Sequence, residues 1–174
     1  MRIQSSFRSL RSSLDGGREN WGLSHQFSQK AGYGRREYIA DMFVHMHSAE
    51  HSGYFAIVPA RFIYRTSDPY AVEVRFNVGA TCEQVWTFVR DLIRDGLSRA
   101  AGFGDVVVWP GASIGGERQL FIQLASPDGT AVLAAPEGEM RAFVQLAGRL
   151  VGYGKEYIHA KSEIDDLVAN IREG

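Results

Sequence analysis

After a turn at Ser67, Asp68 and Pro69, the residues Val72, Val74, Phe76 and Val78 alternate with Glu73, Arg75 and Asn77. A period of two sends one set to each face of a strand, so the stretch predicts a sheet with one buried and one wet face. Just upstream, Arg61, Ile63 and Arg65 alternate with Phe62 and Tyr64. Asp caps the backbone of the intervening turn and Pro fixes its angle, which makes the two strands a hairpin.

Further strands are expected over 38–46, 85–90, 105–109, 119–124 and 130–135, the last three separated by Gly- and Pro-bearing turns at 110–116 and 126–129. A short helix is expected over 91–97, ended by Gly96. Pro136 suits a first helical position, with Glu137 and Glu139 at the positive end of the dipole and Met140, Phe143, Val144, Ala147 and Leu150 as the apolar stripe. Ser162 and Asp165 imitate a capping box before Ile164, Leu167, Val168 and Ile171. The pattern is α+β: about seven antiparallel strands in two runs around a short helix, then C-terminal helices, and not a doubly wound parallel sheet.

With 174 residues, 45% of them hydrophobic, the chain has the composition of one soluble domain. Its single Cys82 cannot pair internally, which fits a reducing interior. No apolar run approaches the roughly 18 to 20 residues of a membrane span, and 1–14 lacks the apolar stretch of a secretory signal. The net charge of −1 hides an asymmetry: residues 1–36 hold seven basic and two acidic side chains, and the remainder is net acidic by six. The expected organisation is therefore a basic, flexible N-terminal arm over 1–36 and a folded domain over 37–174, with the arm drawn to anionic surfaces. Within the arm, Ile3, Phe7, Leu10 and Leu14 share one helical face, a short amphipathic segment that would order on a membrane or a partner. Residues 15–34 read as a linker rich in Gly, Ser, Asn and Gln.

Catalytic patterns are weak. Gly111, Ser113 and Gly115 spell G-x-S-x-G, but a nucleophile elbow needs a helix after its serine, and a strand is expected here; Asp128 and His159 follow only in chain order. His45 and His47 share a strand face, with Glu50 and His51 nearby, and read as a strand end and loop rather than a zinc site. Gly102, Phe103 and Gly104 precede a strand, whereas a dinucleotide loop follows one. No Walker lysine follows a Gly-rich loop. No enzyme activity, cofactor or metal is expected.

Four segments carry a resemblance. They are Asp68, Pro69, Tyr70, Ala71 and Val72; Phe88 through Arg90, Asp91 and Gly96 to Leu97; Gly102, Phe103, Gly104 and Asp105 through Trp109 and Pro110; and Leu124 through Ser126, Pro127, Asp128 and Gly129 to Pro136. In this order, over about residues 40–150, the chain resembles the SsgA-like family of sporulation and cell-division regulators of filamentous actinobacteria. The resemblance implies a non-enzymatic protein that helps place the septum by recruiting or localising FtsZ, or by guiding wall remodelling and spore maturation. It also implies a β-rich fold similar to the Whirly domains, a homotrimer, FtsZ or another SsgA-like protein as partner, and a cytoplasmic address at the septum. Val107 stands where the family often has a basic residue, and Ala134 where it often has Glu. For the motif residues a role in keeping the fold is expected ahead of direct partner contact. The alternative is a single-stranded nucleic-acid binder that uses Arg61, Phe62, Tyr64 and Arg65 on one strand, a reading opposed by the acidity of the domain.

Overall fold

A computed structural model describes residues 24–29, 35–48 and 54–173. Its elements are β1 (Ser24–Gln29), β2 (Arg36–Ser48), β3 (Tyr54–Arg65), β4 (Asp68–Phe76), β5 (Gln84–Val89), α1 (Asp91–Gly96), β6 (Ala101–Phe103), β7 (Val106–Ile114), β8 (Glu117–Ser126), β9 (Gly129–Pro136), α2 (Glu137–Leu150) and α3 (Glu156–Glu173). The α+β expectation holds: the strands form one antiparallel, curled half-barrel sheet in the order β5-β4-β3-β2-β9-β8-β7-β6. Two meanders, β2–β5 followed by α1 and β6–β9 followed by α2, make up that sheet.

They join at β2. One edge of β2 pairs with β3; the other pairs with β1 over 36–41 and with β9 over 45–48. Alternation sorts the side chains as expected. Tyr38, Ala40, Met42, Val44, Phe62, Tyr64, Val72, Val74, Leu120 and Ile122 point to the inner face and are buried. α2 fills that concavity, placing Phe143 at 5.4 Å from the Tyr38 ring and 5.8 Å from Phe62. Rings at these spacings add to the burial of their area. Gly96 lets α1 approach β7, since a Cβ there would lie 2.3 Å from Cγ1 of Val108.

Among the described residues the sheet has nine strands, not seven. β1 lies in the stretch expected as linker; it carries little alternation and gains its order from the backbone edge of β2. β6 is only three residues long. β7 continues through the expected 110–116 turn, which shrinks to Gly115 and Gly116, with a register shift between Pro110 and Ser113 absorbing the irregularity. Val78 lies beyond β4. Arg90 is the N-cap of α1 rather than a strand residue, and Pro136 is the N-cap of α2 rather than its first residue. α3 starts at Glu156, so Ser162 sits inside the helix and caps nothing. The amphipathic segment over 1–14, together with Glu50 and His51, lies outside the described residues.

Candidate functional site

Two of the four motif segments meet at Arg90. Its side chain is 2% exposed. Nη1 donates to Tyr64 Oη at 2.9 Å and to the Val151 carbonyl at 2.8 Å, and Nη2 donates to the Glu156 carboxylate. The guanidinium lies 4.1 Å from the centroid of Tyr153, within cation–π range. Tyr64 in turn donates to the Pro69 carbonyl at 3.3 Å, and the Arg90 amide donates to the Tyr70 carbonyl at 2.8 Å. Pro69 and Tyr70 at the start of β4 and Arg90 at the start of α1 thus form one node that clamps the α2–α3 connection, with Asp68 and Asp91 beside it in sequence and Asp91 paired to Arg94. Burial raises the Tyr64 and Tyr153 hydroxyls, partly opposed by Arg90. For Glu156, burial pushes the carboxyl up, but the Arg90 hydrogen bond and charge, with backbone amides, bring it below its ordinary range. Sequence reasoning missed Tyr153 and Glu156 because both come from a connection whose approach to β5 is tertiary.

The outer face of the sheet is divided. Over β2–β4 it carries ion pairs: Asp41 accepts two hydrogen bonds from Arg61 at 2.6 and 2.8 Å, and Arg65 bridges Glu37 at 2.5 Å and Glu73 at 2.9 Å. Arg75 adds Glu73 at 2.6 Å and Glu83 at 3.3 Å. Burial pushes Glu73 up, and the Arg65 and Arg75 hydrogen bonds more than reverse this. Phe62 and Tyr64 lie on the opposite, buried face, so the four residues that would track and stack a nucleic acid are not presented together.

Over β2, β9, β8 and β7 the same face is mainly apolar and aromatic. One register row runs Ile57, His45, Ala134, Phe121, Trp109, and the next runs His47, Val132, Gln123, Val107. The rings of Trp109 and Phe121 stack at 5.7 Å, and His47 tilts against Phe121 at 5.7 Å. Burial lowers the His47 pKa, and His45 adds to the effect. Phe43 and Ile57 are 37 and 56% exposed at the edge of this band. Gly111 makes room for it: a Cβ there would lie 1.9 Å from the Phe121 ring. Val107 and Ala134, the two departures from the resembled pattern, both fall in the band. Trp109 and the shared strand face of His45 and His47 were legible in the sequence; Phe121, and the meeting of the histidines with the two rings, were not, since β2 meets β9 only in the folded sheet.

The remaining motif residues occupy turns. Gly102, Gly104 and Asp105 shape the β6–β7 hairpin, and the Asp105 carbonyl accepts the Ala125 amide at 2.8 Å, which brings the β8–β9 turn alongside. In that turn Ser126 Oγ accepts the Asp128 amide at 3.3 Å and donates to the Gly129 carbonyl at 3.4 Å, with Pro127 exposed between them. Pro110 sits at the β7 irregularity and Pro136 joins β9 to α2. Ser113 is exposed, pairs with Arg118 across the β7–β8 hairpin and is followed by a strand, so the elbow geometry is missing. Among the described residues no three His, Cys, Asp or Glu side chains are grouped to hold a metal.

Residues 58–156 match the family described as Streptomyces sporulation and cell division protein, SsgA. The chain is 43% identical over 115 residues to the sporulation-specific cell division protein SsgB of Kineococcus radiotolerans, covering 66% of this chain and 68% of that protein. It is also 43% identical over 102 residues to SsgB of Streptomyces coelicolor, covering 59% and 74%. The structure of an SsgA-like sporulation-specific cell division protein from Thermobifida fusca superposes with a TM-score of 0.66 at 30% identity, covering 77% of this chain and 94% of that one. A structure of SsgB, whose mutations correlate with longitudinal cell division during sporulation of Streptomyces coelicolor, gives 0.66 at 36% identity over 72% and 96%. This chain belongs to the SsgA-like family of sporulation and cell-division proteins.

Proposed function

We propose that this protein is a non-enzymatic regulator of sporulation-specific cell division that helps position or recruit the septum machinery, FtsZ included, acting at the septum as a homotrimer. The relatives are named for sporulation-specific cell division, which supports the role in sporulation septation. The observation that carries the binding role is the apolar band of Ile57, Phe43, Phe121 and Trp109. It occupies the sheet face opposite the one that α1 and α2 fill. An aromatic, partly exposed patch beside a charged rim has the make-up of a protein-binding surface.

The test is co-sedimentation of the full chain with FtsZ polymers, alongside titration of fluorescent single-stranded DNA at low and near-physiological salt. Binding to the polymer that Ile57→Ser weakens, with DNA binding weak and erased by salt, supports this reading. DNA binding that survives salt, without polymer binding, replaces it with a nucleic-acid function.

A further inference from the structure

α3 carries an uncovered apolar stripe. Tyr157, Ile164 and Val168 are 70, 60 and 40% exposed. Steps of seven and four residues keep the three within about 40° of one another around a helix. The match to the family ends at residue 156, where α3 begins, so the stripe lies beyond the matched domain. Beyond Glu156, which Arg90 already holds, the sequence of α3 carries Glu163, Asp165, Asp166 and Glu173 against Lys161 and Arg172. Its sequence is net acidic, and among its described side chains Tyr157, Ile164 and Val168 are left uncovered by the body.

The other end of the chain is its complement in charge and pattern. Between residues 2 and 14, Ile3, Phe7, Leu10 and Leu14 recur at steps of four, three and four, accompanied by Arg2, Arg8 and Arg11 and by no acidic residue. As a helix these thirteen residues span about 20 Å, and the stripe from Tyr157 to Val168 spans about 16 Å. Residues 2–14 alone are short for a stable helix in water, and pairing with α3 would bury both stripes. The intervening residues 15–23 reach at most about 30 Å, comparable with the width of a domain of this size.

We propose that residues 2–14 fold back onto α3 of the same chain, laying Ile3, Phe7, Leu10 and Leu14 on Tyr157, Ile164 and Val168, with the arginines facing the acidic flanks of α3. The observations favour α3 over an anionic membrane as the resting place of the arm, because α3 offers the opposite charge together with a matching stripe in the same molecule.

The test compares tryptic cleavage after Arg8 and Arg11 in the full chain and in the full-length I164D/V168D variant, with far-ultraviolet circular dichroism to confirm that the fold persists. Both substituted side chains are exposed, so the sheet is not expected to suffer. Docking predicts cleavage about tenfold faster in the variant, since cleavage follows the population of the open form. It also predicts the same rate at every protein concentration. A reciprocal variant, F7S/L10S, is expected to speed amide exchange in α3 and leave β3 and β8 unchanged. Equal cleavage in both proteins overturns the proposal. Protection that fades on dilution assigns the contact to a second copy instead, and protection found only with anionic phosphatidylglycerol vesicles assigns it to the membrane.

Discussion

Arg90, the N-cap of α1, and Glu156, the first residue of α3, lie 66 residues apart in sequence and meet in a buried ion pair. Neither has water to fall back on, so each depends on the other.

Replacing Glu156 by Gln leaves the guanidinium buried with its charge uncompensated. The expected loss is about 3 kcal/mol of unfolding free energy, with the double variant R90M/E156Q recovering part of it. Urea denaturation measures both, and a single variant within experimental error of the wild type would remove the node from the list of structural necessities.

The same pair sets part of the acid response. Glu156 and Glu73 both titrate below their ordinary value of 4.5 in the folded protein. A depressed folded pKa stabilises fully above the unfolded value and loses its contribution as pH falls through the folded one. Stability is therefore expected to fall below about pH 4.5, with a shallower acid limb in Glu73→Gln. Thermal melts between pH 3 and 7 decide; parallel curves would assign the acid response to other carboxylates.

Gly111 and Phe121 are coupled by contact. Gly111→Ala pushes a methyl group into the ring and is expected to cost about 1–3 kcal/mol. In a Phe121→Ala background the same change meets no ring, and a double-mutant cycle should return a coupling of about 1 kcal/mol. Additive costs would mean that the cost of the added methyl group does not come from the ring.

On the apolar band, Ile57→Ser is expected to change stability by no more than about 0.5 kcal/mol and yet to disturb septum placement in sporulating cells. Normal sporulation septa in that strain would move the partner surface elsewhere.

Ser113→Ala is expected to leave both stability and complementation unchanged, because the hydroxyl sits exposed on a hairpin without an elbow. Loss of complementation by this variant alone would reopen a hydrolase reading.

The strands that the sequence makes legible are those whose two faces differ in solvent. β4 is the clearest, with Val72, Val74 and Phe76 inside and Glu73 and Arg75 in the ion-pair ladder outside. β1 was illegible because its side chains carry little apolar alternation; main-chain pairing with β2 holds it, together with His25, which meets Tyr38 and Glu139 only in the folded protein. Gly and Pro concealed the second half of β7, where a bulge accommodates what local propensity reads as a turn. The start of α3 is a tertiary event: Glu156 is held by Arg90, and a capping-box look-alike six residues later misleads any local rule. For the candidate site, motif resemblance found Trp109 and Arg90. Their neighbours Phe121, His47, Tyr153 and Glu156 come from strands and connections that only the closed fold brings near.

Among the described residues the strands of the two meanders pair with each other only along one joint, His45–Ser48 of β2 against Ala131–Ala134 of β9. Ile57 and Phe43 stand on one side and Phe121 and Trp109 on the other, so the angle at this joint decides whether they form one flat landing or two tilted ones. A partner that spans the joint therefore senses the curvature of the sheet as well as its chemistry.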